Sequence, residues 1–90
     1  MFKIEAGLDG EKVLLRLSGR MQARHLEQLK APIANAERPI ALDLQEITLV
    51  DLDVIRFFRA CESQGIELRH CAPYIREWIR RESARHDHDP

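Results

Sequence analysis

Residues 40–58 constrain the fold of this chain more than any other segment. The run Ile40–Leu44 is almost continuously apolar, which is typical of a strand that is buried on both faces in the middle of a parallel sheet. A short link of residues 45–50 leads to Asp51, a residue type that favours the position just before the first turn of a helix. Apolar residues then recur at helical spacing until Gly65, so the segment predicts a buried strand followed by an amphipathic helix.

The flanking segments predict the rest of a mixed sheet. The remaining elements are predicted as two strands, a helix, a strand and a helix, at residues 2–6, 13–17, 22–36, 66–70 and from 73 onward. Asp9-Gly10 is typical of a hairpin turn, Pro32 would end or kink its helix, and Pro73 suits a first helical residue. The order predicts an α/β fold, with a mixed four-stranded sheet built from an N-terminal hairpin and β-α-β-α units and with helices packed on the sheet.

Length and charge limit the kinds of partner. The 90 residues are predicted to form one domain, residues 1–84, followed by a flexible tail, residues 85–90. The formal net charge of −1 predicts no nucleic-acid partner, and no apolar run approaches the roughly 18 residues that direct membrane insertion needs. Cys61 and Cys71 form no disulfide framework and the N-terminus carries no signal pattern, which predicts a cytoplasmic protein.

The acidic pair Asp51 and Asp53 allows two interpretations. After an apolar strand, Asp-x-Asp is similar to the opening motif of haloacid dehalogenase-like phosphatases, in which two carboxylates act on a phosphoryl group beside Mg²⁺. That chemistry also needs a lysine and a second acidic cluster, and no lysine follows Asp53. The interpretation that we favour is structural: Asp51 caps the helix, and Asp53 interacts favourably with the helix dipole.

The other reactive side chains predict no catalytic, cofactor or metal site. His70 and Cys71 are neighbours at the end of a strand and project to opposite faces, so they would not share a zinc ion with Cys61. Both cysteines are predicted to act as small core residues. Tyr74 and Trp78 lie one turn apart on the last helix and are predicted to lie in the core or at its edge.

Taken together, these segments resemble the STAS domain, which is named after sulfate transporters and anti-sigma factor antagonists. The resemblance covers about residues 3–82 and rests on the order and spacing of several short features. These are an apolar strand with Asp43, a link that ends at Asp51, a helix, and Cys71-Ala72-Pro73 before the last helix. The Leu17-Ser18-Gly19 ending of the second strand also fits. The resemblance implies the STAS fold and a binding module rather than an enzyme.

The resemblance also assigns roles at the start of the second helix. In antagonists of this family the helix begins with Asp-Ser-Ser-Gly or a similar sequence, and a partner anti-sigma kinase binds there and phosphorylates the first Ser. Asp51 matches the family Asp, and Leu52 falls on the phosphorylated Ser. Because leucine has no hydroxyl, the resemblance implies that the phosphorylation switch is missing at this position. Asp53 falls on the next Ser, and whether its charge mimics the phosphorylated state stays open.

We therefore predict a non-enzymatic protein–protein interaction domain for signal transduction and regulation of transcription. Its docking surface is predicted to be the start of the second helix, with Asp51, Leu52, Asp53, Arg56 and Arg59 exposed. The predicted partner is an anti-sigma factor or a related kinase. One alternative is an accessory STAS subunit that binds the ATPase of an ABC-type membrane transport complex, and another is a metal-dependent phosphatase-like fragment that uses Asp51 and Asp53. A homodimer through the fourth strand or the last helix is also predicted, because that strand would be a sheet edge.

Overall fold

A computed structural model describes the backbone of residues 1–87 and the side chains up to residue 84. The strands are β1 (Lys3–Asp9), β2 (Lys12–Met21), β3 (Ile40–Val50) and β4 (Glu67–Arg69). The helices are α1 (Glu27–Ala34), α2 (Leu52–Ser63) and α3 (Pro73–Asp87), and a short 3-10 helix, Ala23–His25, precedes α1. The division into a domain, residues 1–84, and a flexible tail stays a prediction, and residues 88–90 of that tail lie outside the described residues.

The four strands form one mixed sheet in the order β1-β2-β3-β4. β1 and β2 are antiparallel, and Gly10 and Glu11 connect Asp9 to its partner Lys12. β3 lies parallel to β2 on one side and to β4 on the other. This arrangement confirms the predicted hairpin, the predicted parallel unit and the mixed α/β architecture. β4 is an edge strand, as predicted, while self-association through that edge or through α3 stays a prediction.

One face of the sheet is buried and the other is open. On the buried face, Leu15 of β2 pairs with Leu42 of β3, and both belong to one core that also contains Leu29 of α1, Phe58 of α2 and Ile75 of α3. The next residues along the strands point to the other face of the sheet. There, one charged residue from each strand forms a paired row: Glu5, Arg16, Asp43 and Arg69. The helices therefore stabilise one face, and charged side chains cover the other.

β3 is longer than the sequence predicts. It continues beyond Leu44 to Val50, so residues 45–50, predicted as a link, are strand and pair with the end of β2. The pairing of β2 with β3 is irregular at two places, between Arg16 and Ser18 and between Gly19 and Arg20. Gly19 itself has a φ of +90°. A Cβ atom on Gly19 would overlap with the carbonyl oxygen of Met1. Such irregularities interrupt the two-residue alternation of a strand, which explains why the sequence pattern indicated a link.

The segment predicted as one helix over residues 22–36 consists of two shorter helices. The 3-10 helix at Ala23–His25 comes first, and α1 then begins at Glu27. α1 continues through Pro32 and ends two residues later, at Ala34. Proline has no N–H to donate to the preceding turn, which weakens the helix at this point without breaking it. The prediction of a single helix is therefore wrong in its extent.

The boundaries of α2 and the start of α3 agree with the sequence. Asp51 precedes α2 and accepts a hydrogen bond from its first turn. Gly65 follows α2 with a φ of +88°, the left-handed conformation that glycine adopts readily. α3 begins at Pro73, whose fixed φ suits a first helical residue. Within residues 1–87, none of the helices is long and apolar enough to cross a membrane.

Candidate functional site

The carboxylate of Asp51 accepts two backbone hydrogen bonds, one on each oxygen. Its Oδ1 accepts a hydrogen bond from the backbone N–H of Val54 at 3.0 Å, which confirms the predicted cap on α2. Its Oδ2 accepts from the backbone N–H of Ala23 at 2.9 Å, at the start of the 3-10 helix that follows β2. Since each oxygen binds a donor of a different element, this one side chain fixes the position of α2 relative to the segment after β2.

Three large apolar side chains are exposed at the end of β3. Leu49 is 53% exposed, Leu52 on the first turn of α2 is 36% exposed, and Tyr74 at the start of α3 is 48% exposed. The Tyr74 hydroxyl donates to the backbone carbonyl of Thr48 at 3.1 Å, which places the ring beside this strand end. We call Leu49, Leu52 and Tyr74 the apolar junction. The core or core-edge position predicted for Tyr74 is wrong, because its phenol lies across the strand end with its hydroxyl on Thr48.

The other residues of the predicted docking surface differ in how exposed they are. Asp53 is exposed on the first turn of α2, as predicted, whereas Asp51 and Arg59 are half-buried. Arg56 is exposed, but its Nε donates to Oε1 of Glu82 at 3.1 Å. Glu82 lies on α3 and is buried, so Arg56 links α2 to α3. Leu52, Asp53 and Arg56 are therefore exposed, and of these three Arg56 is held by an ion pair to α3.

Asp43 is a buried carboxylate for which the sequence predicted no separate role. Only 6% of Asp43 is exposed, and its Oδ1 accepts from the backbone N–H of Gln45 at 3.0 Å. The same oxygen lies 3.1 Å from Nδ1 of His70, and Oδ2 lies 3.7 Å from Nε of Arg16. Burial acts to raise the pKa of Asp43, but these hydrogen bonds and the Arg16 charge outweigh it and lower that pKa below 3.8. The sequence signal that could have identified this buried carboxylate is an acidic residue inside an otherwise apolar strand.

Within residues 1–84, the two cysteines and the histidines are not grouped as metal ligands. Burial raises the pKa of the Cys61 thiol to about 12, with a further contribution from the charge of Glu62. Burial also raises the pKa of Cys71. Thiols that stay protonated are weak nucleophiles and weak metal ligands. Among the described residues, no group of three or more His, Cys, Asp or Glu side chains is placed to hold a metal ion.

Comparison with solved structures identifies the architecture around this site. The structure of the anti-sigma factor antagonist SpoIIAA in its unphosphorylated form matches with a TM-score of 0.62 and 22% sequence identity, covering 89% of this chain and 82% of SpoIIAA. The chain has the STAS fold. A crystal structure of Mglu also matches, with a TM-score of 0.56 and 18% identity, over 72% of this chain and 18% of Mglu. No protein-family model and no curated protein matches the sequence.

The STAS fold confirms the architecture implied by the resemblance in sequence. In this fold the chain presents the start of α2 and the apolar junction at one end of the sheet, where β3 ends. Asp51 holds that end together through its two hydrogen bonds. This end of the sheet therefore exposes apolar side chains, whereas the thiols are buried or half-buried and have raised pKa values.

Proposed function

We propose that this chain is a non-enzymatic protein-interaction domain of the anti-sigma factor antagonist type, whose partner binds at the start of α2. The observation that carries the proposal is the apolar junction, because Leu49, Leu52 and Tyr74 are exposed at one strand end. Apolar side chains grouped at one place and bordered by charged residues are typical of protein-binding surfaces. Asp53 and Arg56 provide such charges beside the junction.

The hydrogen bonds of Asp51 support this location. They hold the first turn of α2 in one position before any partner arrives. A surface that is already ordered loses less conformational freedom on binding, so more of the contact energy contributes to affinity. The STAS fold supports the same placement, since the family resemblance assigns partner binding to the start of this helix.

Leu52 determines how this surface is regulated. It occupies the position at which the family resemblance places the phosphorylated Ser, and its side chain has no hydroxyl. A kinase partner would therefore be unable to release itself by transferring phosphate to residue 52. The proposed complex persists until another event separates the two proteins.

A metal-dependent phosphatase activity receives less support from the contacts of Asp51. Both of its oxygens accept backbone N–H groups, so the cap on α2 and the contact with Ala23 account for this carboxylate without a metal ion. No lysine follows Asp53 in the sequence, although the phosphatase chemistry needs a cation for the phosphoryl oxygens. The structural role of this carboxylate favours the interaction domain.

The proposal is tested by isothermal titration calorimetry with the anti-sigma factor kinase of the source organism. We expect saturable binding to the wild-type chain and a loss of at least about tenfold in affinity for Leu52→Arg, because a buried unpaired charge at an interface is costly. The matched control is Leu8→Arg. Leu8 is 67% exposed and lies at the other end of the sheet, since its partner Val13 pairs with the first residue of β3.

Equal losses for Leu52→Arg and Leu8→Arg would contradict the proposed docking surface. Binding to the ATPase of a transport complex, with no binding to the anti-sigma kinase, would replace the antagonist role by the accessory-subunit role. A second measurement follows phosphate transfer from ATP to residue 52. We expect no phosphate transfer to the wild-type chain or to Leu52→Ala. We expect transfer to Leu52→Ser, because serine supplies the hydroxyl that the kinase requires.

A further inference from the structure

A cleft of about 690 Å³ lies between the end of β2, the 3-10 helix and the chain's first residues. The polar side chains that line it are Arg20, Gln22, Arg24, His25, Gln28 and Thr48. None of the lining residues is an aspartate or a glutamate, although acidic residues outnumber Lys and Arg in the sequence as a whole, 15 to 14. The cleft therefore concentrates hydrogen-bond donors and positive charge in a chain whose net charge is −1.

The two arginines of the cleft have no acidic partner within the described part of the chain. Arg20 and Arg24 are both exposed and form no ion pair there, whereas Arg16 and Arg69 on the open sheet face lie close to Asp or Glu. Arg20 lies on β2 opposite Leu49, and Arg24 lies on the 3-10 helix. Two guanidinium groups from different elements thus border one cleft, and neither forms an ion pair with the side chains of residues 1–84.

His25 adds a donor whose orientation is fixed. Its Nδ1 accepts the backbone N–H of Gln22 at 2.9 Å, so the hydrogen of the ring is on Nε2. The ring stacks on Phe2 with centroids 4.6 Å apart and an interplanar angle of 18°. Because its orientation is held on one side by a hydrogen bond and on one face by an aromatic ring, the imidazole presents a donor without further ordering.

We propose that this cleft binds a phosphate-type oxyanion, either free inorganic phosphate or the phosphoryl group of a small phosphate monoester. Guanidinium groups match the geometry of phosphate oxygens with two parallel hydrogen bonds, and an imidazole N–H, amides and a hydroxyl complete the donor set. The volume of the cleft exceeds that of a single phosphate, which leaves room for the organic part of an ester. No residue of the apolar junction lines this cleft, although the two adjoin where Arg20 lies opposite Leu49.

The test is a titration of the isotopically labelled chain, followed by amide chemical shifts, with inorganic phosphate and with glycerol 3-phosphate. We expect saturable shifts at Arg20, Arg24 and His25 with at least one of the two compounds. Saturation by phosphate identifies the free anion as sufficient, and saturation by the ester alone identifies a monoester as the ligand. Each of Arg20→Gln and Arg24→Gln is expected to weaken binding by about fivefold or more, because each removes one charge-assisted contact.

The matched control is Arg38→Gln, since Arg38 is also exposed and also forms no ion pair with the described residues, but does not line the cleft. We expect Arg38→Gln to bind as the wild type does. Shifts that do not saturate, shifts that sodium chloride reproduces at matched ionic strength, or equal effects of all three substitutions would overturn the proposal. Arg20 and Arg24 are exposed, so their glutamine variants are expected to keep the melting temperature of the wild type and to report on binding alone.

Discussion

Asp51 and Asp53 are two residues apart, yet the fold gives their carboxylates different tasks. Asp51 accepts two backbone hydrogen bonds, from Val54 and Ala23, and is half-buried. Asp53 is exposed on the first turn of α2, where its charge interacts favourably with the helix dipole and forms no ion pair with the described residues. The first residue therefore contributes to stability through specific contacts, whereas the second remains available to a partner.

Two substitutions of Asp51 remove either both of its hydrogen bonds or one of them. Asp51→Ala removes the helix cap and the bond to Ala23, and we expect it to lower the free energy of unfolding by about 2 kcal/mol. Asp51→Asn keeps one side-chain oxygen and can satisfy only one of the two donors, so we expect a loss of about 1 kcal/mol. Urea denaturation measures both. Asp53→Ala is the control with an expected loss of about 0.5 kcal/mol, and an equal effect of the two alanine variants would contradict the dual role.

At the level of the element, the sequence predicted those parts of the fold in which local pattern and burial agree. The buried run Ile40–Leu44, the cap at Asp51 and the stop at Gly65 all have local signals, and all three are present in the structure. The extension of β3 to Val50 has no such signal, because β3 carries one residue more than β2 at two points of their pairing, and each extra residue interrupts the two-residue alternation of the strand. The exposure of Tyr74 likewise depends on a tertiary contact, its hydrogen bond to β3.

Gly19 and Gly65 provide a test of the close packing of Met1 against β2. Their φ angles are +90° and +88°, so alanine is strained to a similar degree at both positions. Nothing lies within 4 Å of a Cβ atom on Gly65, whereas one on Gly19 would meet the Met1 carbonyl oxygen. We expect Gly65→Ala to cost about 1 kcal/mol of unfolding free energy and Gly19→Ala at least about 2 kcal/mol. Equal losses in thermal or urea denaturation would mean that residue 1 does not pack against this strand.

For the molecule as a whole, the sheet is stabilised differently on its two faces. The helices cover one face with apolar side chains, while the open face carries ion pairs between strands, such as Lys12 with Glu67 at 2.7 Å and Arg69 with Asp9. Exposed pairs of this kind contribute little individually. Asp43 differs from them, because it is buried under this face and contacts His70 and Arg16.

The lowered pKa of Asp43 predicts a loss of stability in acid. Because the folded state holds this carboxyl below its usual value of 3.8, the unfolded state binds more protons in that range. The contribution of Asp43 is therefore complete above about pH 4 and is lost as the pH falls through the lower, folded-state pKa. We expect the unfolding free energy of Asp43→Asn to fall less steeply than that of the wild type between about pH 5 and 3. Parallel curves from denaturation at each pH would contradict this role.

The double hydrogen bonding of Asp51 has a consequence for communication across the molecule. The 3-10 helix that Asp51 holds through Ala23 carries Arg24 and His25, and the helix that it holds through Val54 begins with Leu52. If an anion fixes the first segment and a partner protein fixes the second, each ligand alters the energy of the other through one shared carboxylate. Thermodynamic linkage then requires reciprocity: whatever factor the anion applies to partner affinity, the partner applies to anion affinity.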